Sequence, residues 1–250
     1  MFNIIFNIVR KFPEPVKRPL RWLYHKWSIK LEEETIMDLM EYFSVDKKKI
    51  LYLLESGALL SADLWYCLNP KTDEEIRNYY KENPFYVFDI IFWHATKEQR
   101  MLRSEISGLA KGRVLDYGGG VGNICMMVAD KKLEVDYADL PGRTFNFAKW
   151  LFKKKRYNIF MIDLSKDKIS KKYDTIFCID VIEHVTNPKD LLRDFVNYLT
   201  PRGQLIITAL DPIVNELLPM HFKLGFNPKE YLESLGMAKT DNQYVWVKRP

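Results

Sequence analysis

The stretch Arg113-Val-Leu-Asp-Tyr-Gly-Gly-Gly-Val-Gly-Asn123 decides the fold of this 250-residue chain. Val114 and Leu115 read as the apolar end of a buried strand, and Asp116 closes it. Gly118, Gly120 and Gly122 follow at alternate positions. Val121-Gly-Asn-Ile-Cys-Met-Met-Val128 then continues with the apolar density of a buried helix. A strand, a glycine turn and a helix N-terminus make a nucleotide-binding corner, because backbone amides without side chains can approach a ligand closely. A dinucleotide fold would place a third glycine or alanine where this chain has Asn123, and its fingerprint has no acid at the place of Asp116.

Downstream of this corner, strands and helices alternate, which predicts a mostly parallel sheet covered on both faces. Strands are expected at 134–138, leading to Asp139, at 158–162, leading to Asp163, at 174–179, leading to Asp180, at 204–209, and at 237–241 and 243–248. Helices are expected at 142–155, from Asn187-Pro188 to the Thr200-Pro-Arg-Gly203 stop, and from Asn227-Pro228 to Leu235. The run Lys153-Lys-Lys-Arg156 falls at a helix C-terminus, where cations suit the dipole, and reads as a solvated helix end.

Three motifs in this order carry a resemblance. Asp116-x-Gly118-x-Gly120-x-Gly122 resembles the first motif of the class I S-adenosylmethionine-dependent methyltransferases. Tyr173-Asp-Thr-Ile-Phe-Cys-Ile-Asp-Val-Ile-Glu-His-Val-Thr-Asn-Pro188 is similar to the segment after strand four in the small-molecule, quinone-biosynthesis-like members. Leu199-Thr-Pro-Arg-Gly203 resembles their Leu-x-Pro-Gly-Gly turn, with Arg202 in place of the first glycine. The resemblance covers about residues 112–250. It implies an α/β, Rossmann-like sheet of seven strands in the order 3-2-1-4-5-7-6, with strand seven antiparallel, and S-adenosylmethionine as cofactor.

The resemblance also implies a cofactor set. Asp139 would accept both ribose hydroxyls, and Gly118 and Gly120 would clear space for the ribose and methionine portions. Asp116 would act on the amino group, Asp163 would lie near the adenine amino group, and Asp180 would line the methionine portion. Leu140 and Leu164, each following one of these acids, complete the set. Tyr80 joins it from the N-terminal side, because Tyr79-Tyr80 and the aromatic run 85–93 resemble the tyrosine-bearing helices that close over the cofactor in relatives. Each residue has a plainer reading as well: Asp139 as a helix cap before Pro141, Asp163 as a loop acid beside Asp167, and the glycines as a tight turn.

Composition narrows the rest. The chain is 47% hydrophobic and 14% aromatic, enough for a sizeable core. Cys67, Cys125 and Cys178 are scattered, which argues against a zinc site or a disulfide framework and favours a reducing, cytoplasmic compartment. Seven Lys/Arg and one acid fall in residues 1–30, leaving 31 Lys/Arg against 32 Asp/Glu in the remainder. A near-neutral body speaks against a nucleic-acid partner. The basic arm carries an apolar stripe from Phe2 to Phe12 and the aromatics Trp22 and Trp27. It is too short to span a bilayer. Two readings stay open: a helix pair packed on the body, or an anchor holding the protein peripherally on an anionic membrane's inner face.

Residues 31–111 read as a helical cap. Expected helices run over 31–43, over 47–56 with Asp46 as cap and Gly57 as stop, and over 62–68 with Ser61 as cap. Thr72-x-x-Glu75 and Thr96-x-x-Gln99 read as capping boxes opening two more. The three divisions are therefore an arm (1–30), a cap (31–111) and a cofactor-binding domain (112–250).

A sulfonium donor is already activated, so an in-line displacement asks mainly for positioning and exclusion of water. Transfer to oxygen also needs a proton removed, for which His184, an imidazole with an ordinary pKa near neutrality, is the candidate catalytic residue. No metal is expected. The acceptor is expected to be a small, apolar or membrane-associated molecule. A binding or scaffold subunit without activity is the alternative, disfavoured by the intact Asp116, Gly118, Gly120 and Asp139. A nicotinamide dehydrogenase is disfavoured by Asn123, and an RNA methyltransferase by the neutral body.

Overall fold

Seven strands form a single sheet: β1 (Val114–Tyr117), β2 (Val135–Asp139), β3 (Phe160–Asp163), β4 (Tyr173–Cys178), β5 (Leu199–Ile207), β6 (Met237–Lys239) and β7 (Val245–Lys248). The computed structural model describes residues 28–216 and 218–250, so nearly all of the basic arm lies outside the described residues. The strand order is β3-β2-β1-β4-β5-β7-β6, parallel throughout except for β7, which runs antiparallel to both β5 and β6. The order expected from the motifs is the one observed. Alternation along the strands sends neighbouring residues to opposite cores. Leu115, Ile176 and Leu205 face one, and Val114, Phe177 and Ile206 the other.

Among the described residues, five helices precede the sheet: α1 (Glu33–Phe43), α2 (Lys47–Leu68), α3 (Asp73–Glu82), α4 (Tyr86–His94) and α5 (Lys97–Gly108). Four more are interleaved: α6 (Asn123–Asp130), α7 (Arg143–Lys154), α8 (Pro188–Tyr198) and α9 (Pro228–Ser234). Residues of α5, α6 and α7 fill the core on one face of the sheet, and residues of α8 and α9 fill it on the other. The Thr72–Glu75 capping box forms in full, with both reciprocal hydrogen bonds present. Thr96 caps α5 through Gln99 N–H, but the Gln99 side chain turns to Arg103 instead of closing the box.

Two expectations for the cap are corrected. Residues 47–68 form one helix, with neither a stop at Gly57 nor a start at Ser61. Gly57 lies in the helix interior because α4 crosses there: a Cβ on it would sit 2.8 Å from Asp89 N. Ser61 is fully buried, its carbonyl accepting from Tyr79 Oη at 2.8 Å and its hydroxyl from Asn83 Nδ2 at 3.2 Å. Both residues are there for packing, and the helix signals they resemble are overridden. The lysine run at the end of α7 is not simply solvated either. Lys154 pairs with Asp38 at 2.8 Å and Glu41 at 2.6 Å, and Lys155 with Asp38 and Glu34, which ties α1 to the body. Ile36, Leu39, Leu54 and Phe88 of the cap share a core with Phe147 and Leu151 of α7 and with Val121 of the glycine turn.

The Leu199-Thr-Pro-Arg-Gly203 segment is also more than a turn. β5 begins at Leu199, opposite Tyr173, and the next pairing is Gln204 with Thr175, so the intervening residues bulge out of the ladder. Arg202 takes φ +61° there, the left-handed conformation that a glycine would adopt with less strain. Among the described residues, no helix is long and apolar enough to cross a membrane.

Candidate active site

A cavity of about 870 Å³ lies over the C-terminal ends of β1, β2 and β4, closed from above by α3 and α4 and from the side by residues 209–221. That is the place where open α/β sheets bind their ligands. Of the ten residues proposed from sequence, nine line it: Tyr80, Asp116, Gly118, Gly120, Asp139, Leu140, Leu164, Asp180 and His184. Asp163 does not. Its Oδ1 accepts from Ser165 N at 2.9 Å and Ser165 Oγ at 2.7 Å, and Lys166 lies 3.3 Å from Oδ2, so Asp163 closes its own turn.

The floor is the glycine turn. Gly118 takes φ +69°, and a Cβ there would come within 2.4 Å of Val181. Gly120 takes φ +55° with open space around it, the nearest atom to an added Cβ being Ile90 Cδ1 at 3.6 Å. One glycine thus lets β1 and the β4 loop touch, and the other leaves room for a ligand. Asp139, at the end of β2, accepts from Leu140 N at 2.7 Å and from Gly120 N at 2.8 Å, with Tyr137 Oη at 3.3 Å. Oδ1, with Leu140 N as its one donor, keeps lone-pair capacity for a further donor such as a ribose hydroxyl. Burial nevertheless holds Asp139 above the usual carboxylate range. Asp116 is 2% exposed, takes the Cys125 thiol at 3.3 Å, and is pushed up to about 6 by burial.

Arg103 of α5, a residue not singled out from sequence, also stands in this cavity. It is 5% exposed, lines the cavity, and approaches Asp180 Oδ2 at 3.6 Å. Its Nε–H has no partner among the described residues. Asp180 itself is a non-glycine residue at φ +55°, held there by Thr208: Asp180 N donates to Thr208 Oγ1 at 2.7 Å, and that hydroxyl donates to Asp180 Oδ1 at 2.8 Å. Left-handed backbone in a residue of this kind is strain that the surroundings must hold in place, and such strain clusters at functional sites. Trp93 Nε1 also donates to Asp180 Oδ2, at 3.2 Å. The signal available in sequence was an arginine among Gln99, Ile106 and Ser107 on the buried face of an otherwise ordinary amphipathic helix.

Beyond the turn the cavity is lined by Tyr80, Tyr86, Asp89, Met220 and, from the 3₁₀ turn Ile182–His184, Glu183 and His184. His184 Nδ1 meets Tyr80 Oη at 2.8 Å and Met220 O at 3.3 Å. Burial, with His221 nearby, holds His184 down at about 3, so it is a neutral hydrogen-bonding group at pH 7 and does not titrate near neutrality as expected. Glu183 is 4% exposed with Oε2 unpartnered among the described residues, and burial followed by the Asp180 charge pushes it up to about 8. Glu183, His184 and His221 place one donor atom each within 4.8 Å of one another, an arrangement able to hold a cation. Of the tyrosines singled out in sequence, Tyr80 and Tyr86 line the cavity, while Tyr79 packs against Trp65 outside it.

Residues 92–240 match the model of the methyltransferase domain family, which is more than half of the chain. The chain belongs to that family. It is an S-adenosylmethionine-dependent methyltransferase. A ubiquinone biosynthesis O-methyltransferase from Rickettsia felis is 25% identical over 192 residues, covering 74% of this chain and 72% of the relative. The enzyme of that name from Rickettsia akari is 28% identical over 145 residues, covering 57% and 55%. The chain therefore spans only about half the length of several relatives it matches. An O-methyltransferase family protein from Burkholderia thailandensis has a similar fold, with a TM-score of 0.49 and 14% identity over 71% of this chain and 60% of that one.

Proposed function

We propose that this methyltransferase acts on a hydroxyl of a small, apolar, ring-shaped acceptor of the quinol type. The relatives named for ubiquinone biosynthesis support the acceptor class. The observation that carries the reading is the continuity of the cavity from Asp139 and the glycine turn to the aromatic chamber of Tyr80, Tyr86 and Met220. A flat apolar ring fits between aromatic walls, and the few polar groups there can orient it.

In this reading Asp139 holds the ribose hydroxyls, Leu140 and Leu164 flank the adenine, Gly118 and Gly120 leave room for the ribose and methionine, and Asp116 draws the amino group. Arg103 takes the carboxylate, with Asp180 beside it. When bound, S-adenosylmethionine supplies a methyl group made electrophilic by its sulfonium. Neutral His184 accepts a hydrogen bond from the acceptor hydroxyl and aims its oxygen, Tyr80 fixes the imidazole, and the roof helices exclude water. Transfer would break the donor's S–CH₃ bond as the O–CH₃ bond forms, and the hydroxyl proton would leave along its hydrogen bond to His184 and on to bulk solvent.

Incubating the full-length protein with labelled S-adenosylmethionine and a panel of catechols, hydroquinones and primary amines tests this. Label on a ring oxygen is the expected result. Label on amines alone would overturn the acceptor class, and binding of S-adenosylhomocysteine without any transfer would favour the scaffold reading.

We also propose that residues 1–30 bring the enzyme to an anionic membrane surface where such an acceptor dissolves. Seven cations at about 1 kcal/mol each near such a surface support reversible binding. A chain starting at Leu31 should stay folded and lose salt-sensitive co-sedimentation with phosphatidylserine vesicles. A large drop in melting temperature, with no vesicle binding by the full-length protein, would show instead that the arm belongs to the fold.

A further inference from the structure

Arg103 does not stand alone behind the cavity. Its Nη2 lies 2.5 Å from His94 Nε2, and His94 Nδ1 in turn lies 3.1 Å from Asn123 Nδ2 at the start of α6. Arginine carries only donors and stays charged in proteins, so His94 Nε2 must accept from it. Burial and the Arg103 charge hold His94 far below its usual pKa, in keeping with a neutral ring. A neutral imidazole that accepts at Nε2 carries its one proton on Nδ1. An NH₂ group facing that proton would set donor against donor, so the Asn123 amide must sit half a turn about, its oxygen and nitrogen exchanged, with Oδ1 taking the proton. The chain of donors therefore runs from Arg103 to His94 to Asn123 Oδ1 in a single direction. Gln99 holds Nη1 from the opposite side.

We propose that His94 and Asn123 are positioning residues for Arg103, fixing its guanidinium against the carboxylate of the cofactor's methionine portion. This rests on the reading of Arg103 given above. It also gives Asn123 a task at the position where a dinucleotide-binding turn has a small residue: its amide anchors the tautomer that makes His94 an acceptor. A long buried side chain such as Arg103 loses rotamer freedom when it is held, and ordering it beforehand lowers the cost of binding.

Titration calorimetry on the full-length protein with two probes separates positioning from general support of the fold. S-adenosylhomocysteine carries the amino-acid portion, whereas 5′-methylthioadenosine keeps the adenosine and sulfur and lacks it. Arg103→Met should weaken S-adenosylhomocysteine by about 10- to 100-fold, the scale of a lost charge-assisted hydrogen bond. His94→Phe and Asn123→Leu should each weaken it by about tenfold. All three should leave 5′-methylthioadenosine within about twofold, and His94→Phe added to Arg103→Met should cost nothing more. Asn123→Asp, which offers only acceptor oxygens, should rescue what Asn123→Leu loses. If His94→Phe weakens both probes alike, the residue supports the fold and the inference fails. If it weakens neither while Arg103→Met weakens S-adenosylhomocysteine, the inference fails and the reading of Arg103 survives. If Arg103→Met changes nothing, both fall.

Discussion

The phenolic oxygen of Tyr80 lies 2.8 Å from Nδ1 of His184, joining α3 of the cap to the turn after β4. The two residues stand 104 positions apart in the chain, so the bond exists only when the cap is seated. Burial holds the Tyr80 hydroxyl far above its ordinary pKa, which keeps it a neutral partner. Two further hydrogen bonds hold the neighbourhood together. His221 Nδ1 meets Ile213 O at 2.8 Å, and Phe222 N donates to Glu183 O at 2.7 Å. Removing the hydroxyl by Tyr80→Phe keeps the ring and frees the imidazole. The expected outcome is a roughly tenfold lower kcat, with S-adenosylhomocysteine affinity within about twofold. An unchanged kcat would show that His184 does not need this partner.

Asp139 stands in two networks at once, the cavity and the glycine turn, because its carboxylate accepts the Gly120 amide at 2.8 Å. Asp139→Ala should weaken S-adenosylhomocysteine by about 1.5–3 kcal/mol, the range for a lost charge-assisted hydrogen bond. Asp139→Asn retains one acceptor oxygen and should fall between the two. Calorimetry on folded variants measures both, and an unchanged affinity in Asp139→Ala would remove the residue from the site.

The carboxyl of Asp89 faces the cavity from α4, with the Ser61 hydroxyl as its hydrogen-bond partner, and burial pushes it up to about 6. A raised carboxylic pKa means that the folded state holds its proton more tightly than the unfolded chain. Between about 6 and the unfolded value near 3.9 the native state binds more protons, so stability falls as pH rises through that window. The destabilisation is then fully present above pH 6. Asp89→Asn should accordingly stabilise the protein at pH 8 by about 1–2 kcal/mol, with no gain at pH 4. Denaturant melts at the two pH values check the difference, and an equal effect at both would show that the charge is not responsible.

The sheet was legible because each strand end carries its own punctuation. Asp116, Asp139 and Asp180 follow apolar runs of the right length, and the sheet order came with the motifs rather than from periodicity. The strand-end residues that line the cavity were legible for the same reason. The cap was not, because its contacts override local signals. Ser61 looks like a helix cap and is a buried partner for Tyr79 and Asn83. Asp163 looks like its neighbours at strand ends and yet binds its own turn, since a carboxylate two residues before a serine can close an Asx-type loop locally. Arg103 was invisible because an arginine in an amphipathic helix usually faces water, and only the tertiary fold shows that this one does not.

Gly57 offers the sharpest test of how the cap is held, because local propensity and packing predict opposite signs. In a helix interior, glycine costs roughly 0.5–1 kcal/mol relative to alanine, so propensity alone makes Gly57→Ala stabilising. Here the added methyl would sit 2.8 Å from Asp89 N and 3.2 Å from Asp89 Cα, backbone atoms that can move only if α2 and α4 part. Overpacking of this kind costs about 1–3 kcal/mol, which outweighs the propensity gain. Gly57→Ala should therefore lower the melting temperature by several degrees. Because α4 also carries Tyr86, Asp89 and Ile90 into the cavity wall, the same variant should raise KM for the acceptor more than that for S-adenosylmethionine. A higher melting temperature in Gly57→Ala would mean that the two helices can separate freely, and the roof of the cavity would then be looser than this crossing implies.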